Sequence, residues 1–89
     1  MKRINEKVAV FTSRQVLDGY PITRVFYNRD DFALEFYSNK ESTLEEICVV
    51  SLGEILALDS SIKGLIDRLA VGEYACRDSI ESSWRIFPL

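Results

Sequence analysis

The apolar residues of this chain are divided into short runs. Residues 8–11 and 47–50, like every other uninterrupted apolar run in the sequence, extend over no more than four residues. Runs this short are typical of strands, and none approaches the stretch of about 20 apolar residues that a membrane-spanning helix needs. The sequence therefore predicts a sheet-rich domain with no transmembrane segment.

Six segments have the β-branched and aromatic composition of strands and are bounded by turn residues. A polar turn between the second and third of them predicts a hairpin. The fourth segment is continuously apolar, which favours a central strand that is buried on both faces. The predicted strands are residues 7–11, 22–28, 32–38, 47–50, 73–77 and 84–87.

The helical signal lies between the fourth and fifth strands. Ser51 and Glu54 form a capping-box pattern, and apolar residues behind them recur at three- and four-residue steps as far as Leu69. Polar residues 59–61 interrupt this stripe. We predict an α+β fold over residues 1–89: a single, mostly antiparallel sheet of about five or six strands, with one broken helix or two short helices packed on one face.

The composition excludes most catalytic and metal chemistry. The chain contains no His, so the commonest general base and metal ligand is missing. Cys48 and Cys76 lie in apolar runs, which is typical of buried, reduced thiols, although a disulfide between them stays open. No glycine pattern matches a phosphate-binding loop. We therefore expect no enzymatic activity, no cofactor and no metal.

The charge balance limits the partners. The formal net charge is −3, which argues against nucleic-acid binding because that needs clustered Lys and Arg. Neither a secretory leader nor a membrane segment is predicted, so we expect a cytoplasmic protein.

Acidic residues are concentrated between Asp30 and Glu46, where six acids are accompanied by Lys40 alone as a base. The simplest interpretation is a solvated sheet end. Tyrosine beside acids is also typical of a protein-binding surface, and we expect two tyrosines of the hairpin to lie on its outer face. The predicted partner-binding residues are Tyr27, Asp30, Asp31, Glu35, Tyr37, Glu41, Glu45 and Glu46.

Three blocks, VAVFTSRQVLDGYPITRVFY, EICVVSLGEILALDSSIKGLID and AVGEYACRD, resemble in order a bacterial family of small acidic proteins. That family was first catalogued as a domain of unknown function and is grouped with the immunity proteins of polymorphic toxin systems, as immunity protein thirty-three in words. The central hairpin is shorter here than in the family. The matching residues are Ser13, Arg14, Val16, Leu17, Gly19, Ser51, Leu52, Ile55, Leu56, Asp59, Ser61, Ile62, Val71 and Gly72.

The resemblance implies a non-catalytic inhibitor that binds and neutralises a cognate toxin. An acidic, tyrosine-bearing surface would suit a toxin with a basic active-site cleft, such as a nuclease. The alternative is a stand-alone interaction or regulatory module, including a homodimer that joins through an exposed sheet edge.

Overall fold

The computed structural model describes residues 5–89, and the first four residues of the predicted domain lie outside this range. The described residues form one six-stranded sheet, in the order β4-β1-β3-β2-β5-β6, with short helices between the strands. The elements are β1 (Ala9–Ser13), α1 (Arg14–Leu17), β2 (Arg24–Tyr27), β3 (Leu34–Tyr37), β4 (Ile47–Ser51), α2 (Leu52–Leu58), α3 (Ile62–Arg68), β5 (Glu73–Cys76) and β6 (Arg85–Pro88), with a 3-10 turn at Leu44–Glu46 before β4.

The sheet is mixed. β1 and β3 run parallel, whereas the other four neighbouring pairs are antiparallel. The predicted fold class is therefore confirmed, including the hairpin of β2 and β3 and the two short helices after β4.

One face of the sheet carries the core. Val25 of β2 pairs with Phe36 of β3 and with Ala75 of β5, and all three side chains are buried. The buried side chains Ile55 of α2 and Leu65 of α3 belong to the same apolar cluster. The helices thus pack on this face, which we call the core face, and the alternation of strand residues places the intervening side chains on the opposite, open face.

A side-chain cap explains where α2 begins. The Ser51 hydroxyl accepts a hydrogen bond from the Glu54 amide at 3.2 Å, as the capping-box pattern predicts. The helical stripe breaks at Asp59, which is the C-cap of α2. Thr43 caps the 3-10 turn before β4, where its amide donates a hydrogen bond to the Glu46 carboxylate at 2.9 Å.

The position of β4 differs from the prediction. The structure places β4 at the edge of the sheet, whereas the sequence predicted a central strand. Helices cover only one face, so Val49 on the open face is 63% exposed. A continuous apolar run does not distinguish burial on two faces from an apolar edge strand.

The two cysteines are free and half-buried, so the alternative of a disulfide is not realised. Across residues 5–89, none of the helices combines the length and the apolar character needed to cross a bilayer.

Gly72 occupies a backbone conformation that favours glycine. Its φ is 87°, and a Cβ placed there would also overlap the Arg29 guanidinium. We expect Gly72→Ala to lower the free energy of unfolding by about 1–2 kcal/mol, because left-handed backbone costs other residues about that much. Urea denaturation measures this change.

Gly64 provides the matched control for that substitution. It lies inside α3 with open space around it. Gly64→Ala is expected to raise the free energy of unfolding by up to about 1 kcal/mol through helix propensity. Equal effects of the two substitutions would contradict the conformational argument.

Candidate functional site

The open face of the sheet carries a continuous row of large side chains. Strand register places one residue from each of the six strands side by side, since each is the direct partner of the next. None of these residues belongs to the core cluster. We call this set the cross-sheet row; in order across the sheet it consists of Val49, Phe11, Glu35, Phe26, Tyr74 and Phe87.

Ring contacts link the second half of the cross-sheet row. Phe26 and Tyr74 stack with their centroids 5.7 Å apart, and Tyr74 meets Phe87 at 5.5 Å. Tyr37 lies two residues after Glu35 on β3, on the same face, and its ring centroid is 6.1 Å from that of Phe26. Aromatic pairs at such separations are mutually stabilising, so the row is a preorganised surface.

A carboxylate interrupts the aromatic row on the central strand. Glu35 accepts a hydrogen bond from the Tyr37 hydroxyl at 2.5 Å through one oxygen. Its other oxygen accepts from the side-chain amide of Asn28. Partial burial raises the pKa of Tyr37 above its usual range, and the hydrogen bond to Glu35 and the charge of that carboxylate raise it further. Tyr37 therefore remains a neutral hydrogen-bond donor at physiological pH.

Arg24 is fixed beside Tyr37. Its Nε and one terminal nitrogen donate to the carbonyl oxygen of Ser38 at 3.0 and 2.8 Å. The guanidinium also lies 5.9 Å from the centroid of the Tyr37 ring. These contacts keep a positive charge at a defined position on the open face, next to the aromatic side chains.

A groove opens where the β3–β4 connection passes beside the open face. Its volume is about 380 Å³. Aromatic, cationic and acidic side chains converge there, a composition typical of recognition surfaces. The lining residues are Arg24, Phe26, Tyr37, Glu41, Ser42 and Ile47.

The structure separates the two tyrosines of the predicted site. Tyr27 pairs with Leu34 and packs against the core cluster, so its side chain lies on the core face. Tyr37 lies on the open face with Glu35. The expectation that both tyrosines share the outer face is wrong, because Tyr27 is two residues from the inward-facing Val25 and strand side chains alternate.

Three of the six predicted acids have partners within the protein. Glu35 is bonded as described above, and an oxygen of Asp31 accepts from the Ala33 amide at 3.0 Å. Glu46 accepts from the Thr43 amide and the Gln15 side chain, both at 2.9 Å. The hydrogen bond from the Thr43 amide is the main reason why the pKa of Glu46 lies below its usual range. These acids therefore stabilise local structure, a role that the acid-rich sequence alone does not indicate.

The other three acids are Asp30, Glu41 and Glu45; all are exposed, and no ion pair joins their side chains to other residues in the range 5–89. They do not form one patch. Asp30 lies in the turn before β3, whereas Glu41 and Glu45 follow β3, at its other end. Four strand residues separate these positions by about 10 Å or more. The structure therefore places them at two ends of the open face.

The sequence analysis did not identify six residues of the open face as site residues: Phe11, Arg24, Phe26, Val49, Tyr74 and Phe87. The buried Phe36 shows that an aromatic residue on a strand can equally belong to the core. Strand alternation indicates the face of single residues such as Phe26, Tyr74 and Phe87, which adjoin the inward-facing Val25, Ala75 and Ile86, but it does not show that they lie side by side.

The site shows no arrangement for metal binding. Within residues 5–89, no three His, Cys, Asp or Glu side chains cluster in a way that could hold a metal ion. A comparison of the chain with protein-family models, curated proteins and solved structures found no match to any of them.

Proposed function

We propose that this chain is a non-catalytic inhibitor that binds and neutralises a cognate bacterial toxin through the open face of its sheet. The observation that carries the proposal is the cross-sheet row, whose half-buried and exposed rings lie on the face opposite the helices. Aromatic residues and Arg provide most of the affinity in protein interfaces. The resemblance to immunity proteins supplies the class of partner.

The proposed surface differs from the acidic patch that the sequence indicated. Aromatic side chains form its centre, Arg24 and Glu35 give it fixed polar groups, and the exposed acids lie at its two ends. Acids at the rim of an interface act mainly on the association rate, because they steer a basic partner without being desolvated. This arrangement suits a toxin with a basic cleft, such as a nuclease.

The test uses the protein encoded by the neighbouring open reading frame as the partner. We expect Phe87→Ala combined with Tyr74→Ala to weaken binding by about 30-fold or more, as for central aromatic residues in other interfaces. Titration calorimetry measures the affinity, and survival of cells that express the toxin measures neutralisation.

Leu58→Ala is the matched control. Leu58 lies on α2 and is 49% exposed, against 40% for Phe87. Affinity should stay within about twofold of the wild type, since exposed residues outside an interface contribute little. Full neutralisation by the double variant, or an equal loss in the control, would overturn the proposal.

The rim acids are tested separately. Glu41→Gln combined with Glu45→Gln should slow association and flatten its dependence on salt, while the dissociation rate stays nearly constant. Asp67→Asn on α3, compared with each of the two single substitutions, is the control for a change of net charge alone.

A further inference from the structure

The outer edge of β4 exposes a short, regular set of backbone groups. The Leu52 amide donates a hydrogen bond to the Val8 carbonyl oxygen at 2.9 Å. This bond shows which of the opposing residue pairs of β1 and β4 exchange backbone hydrogen bonds. Bonded pairs alternate in an antiparallel ladder, so Cys48 and Val50 point their backbone groups at β1. The backbone groups of Ile47, Val49 and Ser51 therefore point outward.

Among residues 5–89, only one of these outward donors has a partner. The Ile47 amide donates to the Leu44 carbonyl oxygen as the 3-10 turn ends. The structure gives no acceptor among residues 5–89 to the amides of Val49 and Ser51. An edge of this kind is a template for another strand.

We propose that β4 pairs with β4 of a second copy of this chain, antiparallel across a two-fold axis at Val49. In this register, Val49 exchanges two hydrogen bonds with Val49 of the second copy. Each Ser51 amide donates to the Ile47 carbonyl oxygen opposite. The Ile47 amide, already bonded to Leu44, is the one donor that this pairing does not use, so the edge is complementary to itself.

The side chains around the β4 edge also favour pairing with a second copy of this chain. β4 contains no charged residue and no Pro, the usual protections of an exposed edge strand. Val49 is 63% exposed and Leu44 is 91% exposed, both beside this edge. A second copy would cover Val49 with its own Val49 and extend the cross-sheet row into a twelve-stranded sheet.

The opposite edge of the sheet is protected. The Leu89 amide donates to the Gly72 carbonyl oxygen at 2.8 Å, so Ile86 and Pro88 are the β6 residues that point outward. Pro88 has no amide hydrogen to donate. β6 is therefore a poor template, which leaves β4 as the edge that recruits a second copy.

Sedimentation velocity over a wide range of protein concentration tests this proposal. We expect a monomer at low micromolar concentration and a growing dimer fraction towards millimolar concentration, since a single strand pair buries little area. Val49→Lys should raise the dimer dissociation constant at least about tenfold, because it places two like charges opposite each other. A chain that stays monomeric throughout would overturn the proposal.

Leu89→Lys is the matched control, because Leu89 is 62% exposed and lies at the opposite edge. It should leave the dimer unchanged; an equal effect of both substitutions would also overturn the proposal. Amide exchange of the wild type gives a second measurement that needs no variant. The Val49 and Ser51 amides should gain protection as concentration rises, and a dimer without this protection would place the interface elsewhere.

Discussion

Replacing Phe36 by alanine is expected to lower the free energy of unfolding by about 3–5 kcal/mol. Phe36 is 0% exposed and lies on β3, between β1 and β2 in the middle of the sheet. Its carbonyl oxygen also accepts a hydrogen bond from the buried Thr12 hydroxyl at 2.7 Å. Domains of this size are stable by only about 5–15 kcal/mol, so the variant should lose a large fraction of its free energy of unfolding.

Phe32→Ala is the control for the Phe36 substitution. Phe32 belongs to the same hairpin but is 68% exposed, and its φ is 55°. Alanine retains the same backbone strain and loses little buried area, so we expect a change within about 0.5 kcal/mol. Denaturant unfolding followed by far-UV circular dichroism measures both, and similar losses would contradict the assignment of the core face.

The second large effect is expected at Arg77. Its side chain is 3% exposed and pairs with Asp59, which is 11% exposed, at 2.7 Å. Arg77 also donates to the Ile22 carbonyl oxygen at 2.9 Å and lies 4.2 Å from the centroid of the Trp84 ring. Removing one partner of a buried pair leaves the other charge uncompensated, so Arg77→Met should cost about 3–5 kcal/mol.

An exposed Arg–Asp pair in the same chain is the control. Arg85 and Asp78 are 54% and 81% exposed and lie 3.4 Å apart. Arg85→Met should change the free energy of unfolding by less than about 1 kcal/mol, because solvent screens such pairs. A cost at Arg77 no larger than that at Arg85 would show that the buried pair is not a structural element.

The Arg77 effect should depend on pH. Burial by itself raises the pKa of Asp59, but hydrogen bonds from Ser61 and Arg77 outweigh it and hold that pKa below its usual value. The ionised form of Asp59 is therefore favoured in the folded protein. Its contribution to the free energy of unfolding is complete above the pKa of the unfolded state, about 4, and is lost as pH falls through the lower pKa of the folded state. The difference in stability between wild type and Arg77→Met should narrow in that acidic range.

Local sequence patterns predicted much of the fold for a physical reason. The Ser51 cap and the helical stripe behind it are determined by neighbours three and four residues away, so the pattern contains the whole interaction. The hairpin of β2 and β3 is local in the same sense. Strand order is not, and the edge position of β4 depends on its pairing with β1, some 40 residues away in sequence.

The candidate site was harder to predict than the fold. The acid-rich segment was visible, but β3 separates its two ends, and three of its carboxylates accept hydrogen bonds within the protein. The cross-sheet row joins residues from six strands, so no local pattern contains it. Arg77 and Asp59 are 18 residues apart, and neither has a sequence signature that links it to the other.

We propose that the chain acts by presenting the open face of its sheet to a protein partner. The most direct measurement is the structure of its complex with the protein encoded by the neighbouring reading frame. We predict that the partner buries Phe26, Tyr74 and Phe87 and leaves α2 and α3 exposed to solvent. A partner seated on the helices, with the aromatic rings of the cross-sheet row still exposed, would contradict the account.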